Sequence, residues 1–445
     1  MTAGQPALAG LAVSYLAAST AGGTGRHVLM LAGGCAARGA AVTVYGPPAL
    51  GQQAARGNAG PATGGPGTAG PAIGGPAAAG TAATRPGVAG PATARPATGG
   101  PARDEQPGWR FVPVDIAHRP RPARDIAAVA RLRRLLARDR PQVLHAHGLR
   151  AGAVAALALA GRSRGRPALV VTVHNAAPPG RLAAAVYAGL ELIVARRADA
   201  VLAVSGDLAA RLRRRGAPDV ALAVVPAPAA APARAAEVAS VRGELGLAGP
   251  AGRPVVLGAG RLAAQKDFGT LLRAAARWQR RDPVPLLVIA GDGPQAAALR
   301  AQAAADQVAV RFLGHRGDVP ALLAVADVVV VPSRWEGQPL IVQEALRAGR
   351  PLVAARAGGI PELAGQDGAV LVPPGDPGAL AAAVTRLLDD PAAAAAQAAA
   401  ARARAAALPA SADAVDQAAA VYLRLARTAS QAGTQGDATR WTRRK

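Results

Sequence analysis

Short runs of β-branched and aliphatic residues alternate along this chain with longer stretches in which apolar positions recur every three or four residues. In the first half the strand-like runs fall at 11–15, 41–45, 110–114, 142–146, 168–173, 199–204 and 220–225. Helical patterns lie between most of them; over 124–138, Ile126, Val129, Leu132, Leu135 and Leu136 are expected to line one face. A second series has strands at 254–259, 285–290, 308–313, 327–331, 351–355 and 369–372. Such alternation predicts an α/β protein with parallel sheets covered by helices on both faces. Between the series, residues 226–234 read P-A-P-A-A-A-P-A-R, whose prolines make a semi-rigid hinge.

The expected organisation is two doubly wound, Rossmann-like domains, 1–225 and 235–410, facing each other across a cleft. Ligands of open parallel sheets sit at the carboxyl ends of strands, so the cleft is the expected site. Helices are expected near 391–407 and 412–428, with residues 411–428 crossing back and 429–445 forming a flexible basic tail. Residues 51–108 are mostly Gly, Pro, Ala and Thr with only Ile73 and Val88 as larger aliphatics, too little to offset their ordering entropy. They are expected to form a disordered insertion looping out of the first domain. The irregular glycine spacing argues against a collagen triple helix.

The charge is uneven. Net charge is +24, and residues 1–225 carry 26 Arg against 9 acids, so the first half should attract anions. Candidates are a phosphorylated substrate, an anionic membrane surface, or nucleic acid, and a solvated arginine-rich surface explains the excess equally well. Aromatics make up 2% of the chain, which argues against nucleic acid because single-strand readers need stacking platforms. Cys35 is the sole cysteine, so no internal disulfide and no cysteine metal cluster can form. The first cationic side chain is Arg26, unlike the basic start of a signal peptide, and no apolar stretch is long enough to span a bilayer. A cytoplasmic protein is expected, with any membrane contact peripheral on the inner face.

Four glycine-marked stretches carry candidate chemistry. T-A-G-G-T-G-R-H at 20–27 follows the first strand and precedes a helix; Gly22 and Gly23 would let the backbone approach an anion at a helix N-terminus, or would serve only a tight turn. V-V-L-G-A-G-R-L-A-A-Q-K at 255–266 matches a dinucleotide fingerprint through Gly258, Gly260 and Ala263, but Asp282 and Asp292 are misplaced for the ribose-binding acid. What remains is Arg261 and Lys266 beyond a strand end, where two cations could hold a diphosphate. Lysine occurs only at 266 and 445, so Lys266 is anomalous in this arginine-rich chain, although a solvated surface lysine reads as well. P-S-R-W-E-G-Q-P-L-I-V-Q-E-A-L-R-A-G-R-P at 332–351 predicts a short helix over 339–348, with Pro339 at its first position and Gly349 beyond its end. Glu336 then precedes the helix, Glu344 lies within it, and the amides of Gly337 and Gln338 sit at its positive end. The carboxylates could accept sugar hydroxyls while the amides receive phosphate; the bland alternative is a cap and a solvent-facing helix residue. A-R-A-G-G-I-P-E-L at 355–363 should border the same cleft.

In this order these stretches resemble family 4 of the retaining glycosyltransferases, a GT-B class that uses nucleotide sugars. The resemblance covers nearly the whole chain outside 51–108 and the tail. It is most specific in G-A-G-R-L-A-A-Q-K, in V-I-A-G-D-G-P at 288–294, and in Glu336 and Glu344 separated by seven residues. V-L-H-A-H-G at 143–148, V-T-V-H-N at 171–175 and R-R-A-D-A-V-L-A-V-S at 196–205 are similar to the family's acceptor domain.

The resemblance implies transfer of a hexosyl unit from a UDP- or GDP-sugar to an acceptor hydroxyl with retention, with the nucleotide sugar as co-substrate and no cofactor. Arg261 and Lys266 would neutralise the diphosphate, Glu336 would hold the transferred sugar, and Glu344 the ribose. Gly260, Gly337, Gln338, Pro339 and Leu340 would shape the donor site, the Gly22–Gly23 loop would close over it, and His174 would lie near the reacting sugar. The sequence contains no Asp-x-Asp motif, so no metal is expected. The family's Asn-Gly-Val-Asp turn near the hinge is replaced by P-A-P-A, and the 51–108 insertion has no counterpart. The basic first half suits a phosphorylated or lipid-linked acceptor. Rival readings are a GT-B nucleotide-sugar epimerase, a non-catalytic basic anion or nucleic-acid binder, and a dehydrogenase.

Overall fold

A computed structural model describes residues 6–18, 23–58, 108–116, 121–161, 165–176, 180–228, 231–247 and 252–442, with side chains to residue 55 in the helix Pro48–Asn58 and to 428 in the last helix. Each strand expected from the sequence is present. The first sheet contains β1 (Ala12–Ala17), β2 (Ala41–Gly46), β3 (Trp109–Pro113), β4 (Val143–His147), β5 (Ala168–Val173), β6 (Ala200–Ala203) and β7 (Val220–Leu222), in the order β3-β2-β1-β4-β5-β6-β7. The second contains β8 (Val255–Ala259), β9 (Leu286–Ala290), β10 (Val310–Gly314), β11 (Val328–Val331), β12 (Leu352–Ala355) and β13 (Val370–Val372), in the order β10-β9-β8-β11-β12-β13. Every pairing is parallel. Parallel strands are covered on both faces, which is why runs such as Val328–Val331 are uninterrupted rather than alternating. Two Rossmann-like α/β lobes result.

Helix Pro122–Asp139 departs from the expected apolar face. Ala128, Leu132 and Leu136 are buried, whereas Ile126 is 70% exposed. At 3.6 residues per turn Ile126 lies about a third of a turn from Leu132, so it cannot share the buried line. Residues 51–58 of the expected insertion belong to helix Pro48–Asn58, where Gly51 packs on Phe111; residues 59–107 lie outside the described residues. The final helix runs from Ser411 to Thr442 and so extends well into the stretch expected to be a flexible tail. The extension holds Gly433 and Gly436, which weaken a helix, but no proline, so nothing in its sequence forces an end at 428.

That helix leaves the second lobe and packs on the first. Ala414, Val415, Ala418, Ala419 and Tyr422 are buried in the core of the β1–β7 sheet, and Arg38 pairs with Asp416 at 2.6 Å. Gln417 accepts from Val224 N at 2.9 Å and donates to Leu222 O at 2.7 Å, which holds the returning chain beside the outgoing connector. Tyr422 is fully buried; its hydroxyl lies 2.5 Å from His145 Nδ1 and 3.2 Å from the hydroxyl of Tyr15, which in turn donates to Cys35 Sγ at 3.2 Å. Burial raises the pKa of both phenols, so both stay protonated and serve the core as hydrogen-bonding groups.

Tyr422→Ala removes a buried ring and strands His145 Nδ1, and should cost about 3–5 kcal/mol. Urea unfolding of the full chain measures it; a loss below 1 kcal/mol would mean that the helix is not anchored there.

Candidate functional site

The carboxyl ends of strands from both sheets meet. Gly337, in the loop after β11, lies so close to the first lobe that a Cβ there would stand 2.5 Å from Val204 Cγ2 and 3.1 Å from His174 O. Only a glycine permits this approach. Trp335 Nε1 donates to Asp207 Oδ2 at 2.9 Å, and Gly206 N donates to Glu362 Oε1 at 3.2 Å, so two further bonds cross the cleft.

At the centre of the second lobe's edge stands Glu336, 5% exposed. Its Oε1 is 2.5 Å from Lys266 Nζ and accepts from Ser333 Oγ at 2.6 Å. A carboxylate this deeply buried requires such partners. Lys266 is placed by the turn Ala264–Lys266 beyond β8, and that turn is tied to the 332–339 loop: Arg334 N donates to Gln265 O at 2.9 Å, Gln265 Nε2 to Trp335 O at 2.8 Å, and Arg334 pairs with Asp267 at 3.0 Å. Behind the loop, Gly359 N donates to Glu336 O at 2.9 Å, and a Cβ on Gly358, whose φ is +54°, would fall 1.8 Å from that oxygen. Backbone therefore rests directly on backbone there, with no space for a side chain.

Gly260 follows β8 and donates to Ala290 O at 2.9 Å, placing the next residue, Arg261, exposed at the same strand ends and without a carboxylate partner among the described residues. The helix after the loop spans Leu340–Arg347, and Pro339 is its N-cap rather than its first residue, because ψ of 124° keeps it extended. Gln338 was expected to offer only an amide. Its side chain instead accepts from Val225 N at 3.0 Å and donates to Ala223 O. Gln343 and Arg347 bind the same connector through Ala227 N at 2.7 Å, Val225 O at 2.8 Å and Ala227 O at 2.8 Å. Gln338 in the loop and two side chains of the short helix, Gln343 and Arg347, thus grip the chain over Ala223–Ala227, where it enters the segment read as a hinge. Glu344 is partly buried with no hydrogen-bond partner among the described residues; burial raises its pKa, opposed by Arg26 of the first lobe and by Arg347. Leu340 Cδ1 lies 3.2 Å from where a Cβ of Gly23 would be, and Gly23 has φ of +91° at the N-cap of helix Thr24–Ala37. Gly22 lies outside the described residues.

His174 faces this junction from the end of β5. Its Nε2 is 3.1 Å from His147 Nδ1, with ring centroids 5.4 Å apart, and His27 stands edge-on to both. His145 and His147 lie within β4 rather than after it; His145 binds Tyr422 and Thr172, and His147 supports His174. Burial lowers the pKa of His27 to about 4 and of His174 to about 3, and pushes His145 and His147 down as well. All four rings are neutral near pH 7. Thus Gly23, Gly260, Arg261, Lys266, Glu336, Gly337, Pro339, Leu340, Glu344 and His174 converge on one cleft.

Residues 22–228 match the family model described as "Glycosyl transferase 4-like domain", and residues 253–390 match "Glycosyl transferases group 1". The chain belongs to the GT4-type glycosyltransferases. Among curated relatives, alpha-D-kanosaminyltransferase of Streptomyces kanamyceticus is 38% identical over 31% of this chain and 37% of its own length. Glycogen synthase of Mycobacterium tuberculosis is 43% identical over 30% of this chain and 34% of its own. These matches span about a third of the relatives' length. In fold the GT4-type chain is similar to Anabaena HepE in complex with UDP (TM-score 0.67, 20% identity, 93% of this chain and all of that one). Sucrose-phosphate synthase from Thermosynechococcus elongatus is a further neighbour (TM-score 0.65, 21% identity, 96% of this chain and 100% of that one). The architecture is GT-B.

Ser333, Asp207, Trp335, Glu362, Arg26, His27 and the side-chain role of Gln338 were not found from the sequence. Ser333 had a faint signal, three residues before Glu336; the others act between elements far apart in the chain. Because the unfolded chain protonates histidines near pH 6.5 that the folded chain keeps neutral, stability should fall as pH drops below that value and level off near pH 4 for His27, by about 1.4 kcal/mol per pH unit for each histidine involved. Denaturant titrations at pH 7, 6 and 5 check this, and His27→Phe should flatten the slope.

Proposed function

We propose that this chain transfers a hexosyl unit from a nucleotide-diphosphate sugar to an acceptor hydroxyl, with retention at the anomeric carbon and without a metal. The contact between Lys266 and Glu336 at 2.5 Å carries the reading, because it puts a cation suited to a leaving diphosphate against a carboxylate suited to sugar hydroxyls. Arg261, beyond the same strand end, supplies the second cation. As the bond to the nucleotide breaks, negative charge grows on the diphosphate; fixed cations lower the barrier by stabilising it more than the bound donor. Glu336 is held rigidly by Ser333 and by the loop behind it, which suits a group that must orient hydroxyls rather than move.

Glu344, partly buried and with no hydrogen-bond partner among the described residues, is available to accept ribose hydroxyls. His174, neutral at pH 7, is suited to hydrogen bonding near the transferred sugar rather than to carrying charge. Retention needs no covalent intermediate in this reading: the departing phosphate oxygen takes the acceptor's proton on the face from which the nucleotide leaves. HepE has been described with UDP and with UDP-glucose, and a relative from Mycolicibacterium smegmatis is named as GDP-mannose-dependent, so both UDP- and GDP-sugars are donor candidates here.

A thermal-shift screen with UDP, GDP, ADP and their sugars tests donor binding and base choice together. Lys266→Ala should lower turnover by two or more orders of magnitude, about 3 kcal/mol or more of transition-state stabilisation, while the protein still unfolds cooperatively. A near-normal rate would remove Lys266 from the reaction. Activity should survive EDTA. Turnover of the sugar donor in the absence of any acceptor, with a sugar epimerised at a ring carbon other than C1 as product, would point to epimerase-type chemistry instead.

A further inference from the structure

Among the described residues, the exposed large apolar side chains are Ile126, Leu157, Leu182, Leu192 and Leu222. Four of these five lie on helices Pro122–Asp139, Leu149–Leu159 and Arg181–Arg197, which pack side by side on one face of the first sheet. On the third helix Leu182, Ala185, Gly189 and Leu192 are all exposed at helical spacing, bracketed by exposed Arg181 and Arg196. Its outer stripe is therefore apolar, the reverse of an ordinary surface helix. Leu157 and Leu192 share a shallow groove with the stems of Arg196 and Arg197.

The charge on this face has one sign. Its three helices carry the acids Asp125, Asp139 and Glu191, and each is engaged: Asp125 with Arg150 at 2.7 Å, Asp139 with Arg110 at 2.6 Å, and Glu191, buried, with Arg211 and Arg215 at 2.8 Å. Arg124, Arg131, Arg134, Arg181 and Arg197 are exposed and have no carboxylate partner among the described residues. Apolar side chains ringed by uncompensated arginines match the boundary of an anionic bilayer, where acyl chains take the leucines and phosphates take the guanidinium groups.

We propose that this face docks the chain on an anionic lipid bilayer, with Ile126, Leu157, Leu182 and Leu192 entering the headgroup boundary. A second copy of the chain fits the face poorly, because a self-complementary contact would set arginine against arginine. Nucleic acid would use the cations but leave the apolar stripe in water. No helix among the described residues is long and apolar enough to cross a membrane, so the contact is at the surface. Each helix runs back along the sheet from the carboxyl end of the strand before it. Arg181 and Leu182 therefore stand near the cleft, a few residues beyond His174.

The proposal goes beyond the transfer reading and is tested without activity, by flotation of the full chain with vesicles of phosphatidylcholine alone or mixed with phosphatidylglycerol. Binding is expected only with phosphatidylglycerol and should weaken with salt. Leu182→Glu with Leu192→Glu, and separately Arg196→Glu with Arg197→Glu, should each reduce the bound fraction by about tenfold or more. Leu222→Glu, off this face, should bind as the unaltered chain does, and matched thermal unfolding confirms that all variants are folded. Absence of binding to the anionic vesicles, binding that neither double variant reduces, or a change in oligomeric mass as the sole effect of Leu182→Glu with Leu192→Glu overturns the proposal.

Discussion

A carboxylate that is 5% exposed must be matched or it cannot stay charged, and the arrangement around Glu336 follows from that requirement. Lys266 and Ser333 supply the match, so the turn beyond β8 must lie against the loop beyond β11. Holding those two loops together takes the bonds from Arg334 and Gln265. Fixing the main chain from which that carboxylate springs takes the glycine backbone of residues 358–359, which lies directly against the Glu336 carbonyl. The donor-side geometry is one solution to the burial of a single charge.

Much of the fold was legible because a parallel sheet covered on both faces leaves continuous aliphatic runs, as in Leu286–Ala290 and Val328–Val331, although the edge strands Trp109–Pro113 and Val310–Gly314 each carry an arginine. The errors have specific physical origins. Ile126 was placed on a buried face because any apolar residue near a helical stripe reads as core; helix geometry sets it aside. The final helix was ended too early because a stretch of small and polar residues with Gly433 and Gly436 resembles a tail, although it holds no proline to stop a helix.

The candidate site divides the same way. Glu336, Lys266 and Arg261 were visible because glycines and prolines punctuate the loops that carry them. The partners were not, since they come from distant parts of the chain: His145 meets Tyr422 across 277 residues, and Gln338 meets Ala223 across 115. A pattern of short-range spacing carries no information about such pairs. The four clustered histidines show this most clearly, since His174 alone was placed at the site and nothing in the spacing joins His27, His145 and His147 to it.

The chain passes between its lobes twice, outward after β7 and back into helix Ser411–Thr442, and Gln417 fastens the two passages to each other. A body held at two neighbouring points can swing about the line through them but cannot drift away or slide sideways. Any rotation of one lobe on the other would turn about that double passage, which Gln338 ties directly to the loop bearing Glu336, so a change of angle between the lobes would be felt at the buried carboxylate's own loop.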